Sequence, residues 1–172
     1  LAVAAAALAN LAPLKGRGQR LHIHMPGGAF ELIDESYNAS PAAMRAAFAV
    51  LGQVRPGAGG RRIAVLGDMR ELGAEGPQLH AALAGDLQAA GVDLVFTAGP
   101  LMAALDKALP AKRRGAHAAD SAAVIPAVLA AVRPGDVVLV KGSLGSRMAP
   151  VVDALKALGG GGALPRAANC HH

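Results

Sequence analysis

Three short segments hold most of the side chains able to do chemistry, and each lies between an apolar run and a helical pattern. The first is Asp34-Glu35-Ser36-Tyr37-Asn38-Ala39-Ser40. Its adjacent carboxylates suit ribose hydroxyls, and the Asn38 amide suits an adenine edge. Asp34, Asn38 and Ser40 are equally ordinary capping residues before a helix. The second is Gly67-Asp68-Met69-Arg70-Glu71-Leu72-Gly73. Asp68 and Glu71 are able to hold an ammonium or a metal, or to stand as solvated loop carboxylates. The third is Lys141-Gly142-Ser143-Leu144-Gly145-Ser146. An ammonium, free backbone N–H groups and a following helix suit a carboxylate or phosphate; a plain strand-to-helix turn is the alternative. The order Lys-Gly-Ser is not that of a phosphate loop, and Gly-x-x-x-x-Gly-Lys-Ser/Thr occurs nowhere in the chain. No residue of the chain is assigned a catalytic role.

The histidines give weaker signals. His80 is expected at the edge of a helix face defined by Leu79 and Leu83, as a partly buried structural residue. His22 and His24 share one face of a strand, but most zinc sites need three or four protein ligands. They read as strand surface, and His117 is read the same way. His171 and His172 are ordinary terminal residues or the stump of a tag. No metal ligand is assigned.

Positioning these segments requires an alternation of strands and helices. An apolar helix is expected over 1–12, ended by Pro13. A basic, glycine-containing connector follows over 15–20. Alternation over 21–25, a turn at Pro26-Gly27-Gly28 and a return over 29–33 predict a hairpin. Ser40 is a good N-cap and Pro41 suits the first helical position. Met44, Ala47, Phe48 and Leu51 then recur at helical spacing. Gly57, Gly59 and Gly60 precede a strand, so they form no dinucleotide fingerprint. Further on, strands are expected at 63–66, 94–97, 116–118 and 137–140, and helices at 78–90, 101–109, 122–132 and 147–158. The 78–90 helix should bury Leu79, Leu83 and Leu87. The 122–132 helix should bury Val124, Ile125, Val128, Leu129 and Val132, and the closing helix Met148, Val151, Val152 and Leu155. The expected fold is α/β, a mostly parallel sheet with helices on both faces and an antiparallel hairpin at its start. In such sheets ligands bind beyond the carboxyl ends of the strands, where all three segments fall. A glycine-rich tail over 159–172 is expected to be disordered.

Bulk properties narrow the classes. The 172 residues suit one domain with a short extra piece. Hydrophobic residues make up 53% but aromatic ones only 2%, so the core must be built from Ala, Val, Leu, Ile and Met. The formal charge of +5 is scattered, and its densest cluster is Lys107, Lys112, Arg113 and Arg114. No aromatic side chain is interleaved there for base stacking, which argues against nucleic acid. A coding bias toward Ala, Gly and Arg accounts for the basic balance. Cys170 is the single cysteine, so no internal disulfide forms, in keeping with a reducing cytoplasm. The apolar start has no basic region before Lys15 and is too short and alanine-rich to span a bilayer. It reads as the end of a buried helix, opened partway along by a truncated start.

Taken together, the segments resemble one family. Leu32-Ile33-Asp34-Glu35-Ser36-Tyr37-Asn38-Ala39-Ser40-Pro41 with Met44 is similar to the Asp-Asp-Ser-Tyr-Asn-Ala-Asn-Pro signature of the Mur ligase family, in its D-alanyl-D-alanine-adding branch. Val65-Leu66-Gly67-Asp68-Met69, then Glu71-Leu72-Gly73 and His80, resembles that branch's Leu-Gly-Asp-Met-x-Glu-Leu-Gly loop. Val140-Lys141-Gly142-Ser143 with Arg147-Met148 resembles its Lys-Gly-Ser segment, and Pro13-Leu14-Lys15-Gly16-Arg17 its interdomain linker. Order and spacing agree over residues 1–158.

The resemblance implies that 1–14 end a central ATP-binding domain, 15–20 form the linker and 21–158 form a Rossmann-like C-terminal domain. It implies an ATP- and Mg²⁺-dependent ligase of peptidoglycan synthesis. Such an enzyme activates the carboxylate of UDP-N-acetylmuramoyl-tripeptide as an acyl phosphate, which the amine of D-alanyl-D-alanine attacks. The phosphate loop, the metal ligands and the UDP-sugar site belong to domains not represented here. By the same resemblance Arg17, Glu35 and Asn38 contact ATP, while Asp68, Lys141 and Ser143 line the dipeptide pocket. Glu35 stands where the family has the shorter aspartate, and Ser40 where it has asparagine. A cytoplasmic monomer without membrane or nucleic-acid partners is expected, inactive as this piece alone. The alternatives are a sister Mur or folylpolyglutamate-type ligase with another amino substrate, and a stand-alone, non-catalytic binding module of the same fold.

Overall fold

The computed structural model describes residues 16–160. The helix expected over 1–12, its stop at Pro13, and residues 161–172 with Cys170, His171 and His172 lie outside the described residues. Strands β1 (Gln19–Met25) and β2 (Gly28–Glu35) form the expected antiparallel hairpin, in register from Gln19 beside Asp34 to Met25 beside Gly28. The hairpin reaches back into the expected connector, because the Gly18 N–H donates to the Asp34 carbonyl at 2.9 Å and extends the ladder.

Helix α1 (Pro41–Gln53) follows, capped as expected: Ser40 Oγ accepts the Ala43 N–H at 3.2 Å. Then come β3 (Arg62–Gly67), α2 (Gly76–Ala89), β4 (Leu94–Ala98), α3 (Met102–Ala108), β5 (Arg114–Ala118), α4 (Ser121–Ala131), β6 (Val137–Lys141) and α5 (Ala149–Ala157). The sheet order is β1-β2-β6-β3-β4-β5, and every pairing beyond the hairpin is parallel.

Two cores lie on opposite faces of this sheet. One packs Ile33, Ala64, Leu66 and Leu139 against Phe48, Leu83 and Leu105 of α1, α2 and α3. The other packs Leu32, Ile63, Val65 and Val140 against Val128 and Val152 of α4 and α5. Successive strand residues face opposite sides, so a sheet covered on both faces needs continuous apolar runs. That is why 63–66 and 137–140 show no polar alternation.

Four local expectations are corrected. Helix α2 begins at Gly76, and its buried stripe is Gly76, His80, Leu83 and Leu87; Leu79 is only partly buried. His80 is therefore a fully buried residue and not an edge one. In α4, Val124 and Val128 are buried but Ile125 and Leu129 only partly, since one helical stripe cannot turn five such positions inward. The closing helix starts at Ala149, after a 3-10 turn over Leu144–Ser146 and a left-handed Arg147. Gly159, expected to begin a disordered tail, instead ends α5 in a turn against β1: an added Cβ would lie 2.9 Å from Ile23 Cγ2.

Candidate functional site

All three chemistry-bearing segments leave the same edge of the sheet, at the carboxyl ends of β2, β3 and β6. Strand β6 lies between β2 and β3, and its register sets Lys141 beside Glu35. Register partners on parallel strands project to one face, so the two side chains meet. Lys141 Nζ lies 3.2 Å from Glu35 Oε2 and donates to the Asn38 carbonyl at 2.9 Å. The lysine side chain is 3% exposed and the glutamate 31%, so the ammonium depends on these partners while the carboxylate still reaches solvent.

The loop after β2 is pinned from both sides. Asp34 Oδ1 accepts the Ser36 N–H at 3.1 Å, and the Tyr37 N–H donates to the Gly16 carbonyl at 3.2 Å. That second bond ties the segment before the hairpin to this loop. It sets the Arg17 guanidinium over the exposed Tyr37 ring, 4.4 Å from its centroid. Asn38 Oδ1 accepts the Ala39 N–H at 2.8 Å, which turns the amide nitrogen outward. Arg17, Glu35 and Asn38 are thus brought to one corner, joined by Lys141.

Asp68 and Ser143 form a second group with its own bonds. Ser143 donates to the Asp68 carbonyl from Oγ at 2.7 Å and from its backbone N–H at 3.2 Å. The Asp68 carboxylate turns inward: Oδ1 accepts the Met102 N–H at 2.9 Å and caps α3. It lies over Gly99, where an added Cβ would come within 2.5 Å of the carboxylate. Met69 is held by His80, whose Nε2 accepts the Met69 N–H at 3.0 Å. An accepting Nε2 places the ring proton on Nδ1, which donates to the Gly76 carbonyl at 2.6 Å. Lys141 therefore joins the Glu35 group, while Asp68 and Ser143 bind each other. Gly99 and Met102 also enter this group. The sequence flags neither, because the connection from β4 to α3 carries no charge or nucleophile.

The remaining histidines stay apart. His22 and His24 are exposed on β1, and His117 Nδ1 lies 2.9 Å from Thr97 Oγ1. Among the described residues, no group of three or more His, Cys, Asp or Glu is placed to hold a metal ion. No helix among them is long and apolar enough to cross a membrane.

Residues 4–144 match the family "Mur ligase, glutamate ligase domain". The chain is 38% identical over 127 residues to the UDP-N-acetylmuramoyl-tripeptide--D-alanyl-D-alanine ligase of Escherichia coli K12, covering 73% of this chain and 26% of that enzyme. It is 31% identical over 166 residues to the Bacillus subtilis 168 enzyme of the same name, covering 90% and 36%. The chain thus spans 26% to 36% of the length of these curated relatives. Among solved structures, the MurF ligase of Thermotoga maritima in complex with ADP superposes with TM-score 0.69 at 27% identity, covering 88% of this chain and 33% of that one. A MurF from Acinetobacter baumannii superposes with TM-score 0.71 at 29% identity, covering 84% and 31%.

Proposed function

We propose, from the premise that this chain belongs to the Mur ligase family, that it is the C-terminal closing domain of an ATP-dependent ligase joining D-alanyl-D-alanine to UDP-N-acetylmuramoyl-tripeptide. Residues 21–158 are that domain, 15–20 the linker, and 1–14 belong with a central nucleotide-binding domain. The enzyme works in the cytoplasm as a monomer, in peptidoglycan synthesis. The observation that carries the reading is the Lys141 bridge, which draws the loops after β2 and β6 to one edge of the sheet. Likeness to relatives that bear this activity in their names supports the choice of substrates.

The division of labour follows the two groups of side chains. Arg17 on Tyr37, with Glu35 and Asn38, faces the nucleotide: the carboxylate accepts ribose hydroxyls and the amide reads the adenine edge. Lys141 holds Glu35 in place for that role. Asp68 and Ser143 serve the amino-substrate side, while Lys141, which the family resemblance also assigns to that side, sits with the nucleotide group. The tripeptide carboxylate takes the terminal phosphoryl group of ATP, giving an acyl phosphate and ADP. The dipeptide amine attacks its carbonyl, loses a proton, and phosphate leaves as the amide forms. Mg²⁺ and the phosphates are held by the preceding domain, and no step is assigned to a metal on this chain.

The test is phosphate release by the full-length gene product that carries this chain, with ATP and Mg²⁺. The expected result is release that requires both UDP-N-acetylmuramoyl-tripeptide and D-alanyl-D-alanine. Release driven by meso-diaminopimelate, lysine or glutamate, and not by the dipeptide, would move the chain to a sister branch.

A further inference from the structure

The two outer strands of the sheet are built differently. Strand β5 has five residues, and its ladder with β4 slips between Val95 and Thr97. Short length and an irregular register are how natural sheets stop further pairing at an edge. Strand β1 has neither device. Its seven residues pair with β2 without a break, from Gln19 beside Asp34 to Met25 beside Gly28, and include no proline or lysine. Among the described residues no strand lies on its outer side, so its outward N–H and C=O groups have no ladder partner there. An edge this long and regular is a template for one more strand.

The two faces of β1 define what that strand must carry, because successive residues face opposite sides. Leu21, Ile23 and Met25 join the core beneath α5. Leu21, Met25 and the neighbouring Leu158 are only partly buried, so apolar surface continues past the edge. On the opposite face Arg20, His22 and His24 are exposed. His22 shares a cavity of about 190 Å³ with Arg55, which makes no ion pair or side-chain hydrogen bond among the described residues. The carboxylates of that cavity, Glu31 and Asp136, are already engaged by Arg20 at 3.5 Å and by Arg61 at 2.8 Å. Guanidinium and imidazole N–H groups are donors that suit further carboxylates.

We propose that β1 is a docking edge for an extended segment of a partner protein in which acidic and apolar residues alternate. Its acidic side chains lie beside Arg20, His22 and His24, and its apolar ones beside Leu21, Ile23 and Met25. The backbone ladder supplies affinity and the alternating side chains supply selectivity. A second copy of this chain is the wrong occupant. Antiparallel pairing about a two-fold axis at His22 sets His22 against itself and Arg20 against His24, so donors face donors. Residues 161–172 hold no Asp or Glu and lack the acceptors as well.

The test uses the full-length gene product and a fluorescein-labelled octapeptide of alternating Glu and Val, which matches the length of β1. Fluorescence anisotropy should show saturable binding, about tenfold or more tighter than for an alternating Lys-Val peptide or for the same Glu and Val residues regrouped in two blocks. His22→Glu with His24→Glu reverses the exposed stripe and should weaken binding about tenfold, with the thermal midpoint as the control for folding. If glutamates beside Glu31 destabilise the hairpin, His22→Lys with His24→Lys decides instead, by tightening binding. Peptides N-methylated on alternate residues, in one phase and then the other, lose the N–H groups of one edge at a time. Loss of binding in at least one phase marks ladder pairing. Hydrogen exchange in the complex should slow over 19–25 and not over 114–118. Absence of saturable binding, equal affinity for the Lys-Val or regrouped peptide, full binding by both methylated peptides, or protection that falls on β5 each overturns the proposal.

Discussion

At the scale of single residues, His80 shows how a site is held by groups that never meet a ligand. Its Nε2 accepts from Met69 and its Nδ1 donates to Gly76, from a fully buried ring. Met69 follows Asp68 directly, so this one side chain fixes the course of the loop that presents the carboxylate. His80→Leu keeps the volume but leaves the buried Met69 N–H unpaired and removes the second bond to the Gly76 carbonyl, which should cost about 1–3 kcal/mol. Urea unfolding measures that loss. In the full-length enzyme the same variant should raise KM for the amino substrate without changing KM for ATP, because the Glu35 group is held by other bonds. A stability loss below about 0.5 kcal/mol would mean that neither bond matters to the loop.

At the scale of elements, the two ends of the sheet carry different duties. The amino-terminal end is fastened by Asp136, whose side chain is fully buried. Its Oδ1 accepts the Arg61 N–H at 2.8 Å, and its Oδ2 accepts Arg61 Nη2 at 2.8 Å and the Arg133 N–H at 3.0 Å. Arg61 Nη2 also donates to the Ala131 carbonyl at 2.7 Å, which closes the end of α4. One carboxylate therefore joins the starts of β3 and β6 to the end of α4. Asp136→Ala should cost roughly 3–5 kcal/mol, as expected when a buried pair loses one partner. Because this cluster lies at the opposite end of the sheet from the candidate site, KM values of whatever enzyme remains folded should not move. A denaturation midpoint close to wild type, or a changed KM, would contradict that separation of stability from function.

At the scale of the whole molecule, two apolar cores of small aliphatic residues clamp one six-stranded sheet and leave its carboxyl edge for chemistry. Phosphoryl transfer depends on positioning and charge neutralisation around the phosphates. The chain has no phosphate-loop motif, and its described residues bring together no cluster of three or more His, Cys, Asp or Glu. The 172-residue chain by itself should therefore release no phosphate above background with ATP, Mg²⁺ and both substrates. Turnover by the isolated chain would show that the phosphate-handling groups lie within it after all.

The sequence by itself determined the order of strands and helices, the Ser40 cap, the hairpin turn before Gly28 and the three loops at strand ends. These follow from local periodicity, capping and turn chemistry, which act over a few residues. It also carried the family resemblance, because that rests on motifs in order along the chain. Only the tertiary structure decided which loops meet. Insertion of β6 between β2 and β3 sets Lys141 beside Glu35 and apart from the Asp68–Ser143 pair. The full burial of His80, the inward turn of Asp68 onto the start of α3 and the left-handed Arg147 were illegible for the same reason. Each depends on packing between segments far apart in sequence, and local patterns do not record which distant strand becomes a neighbour.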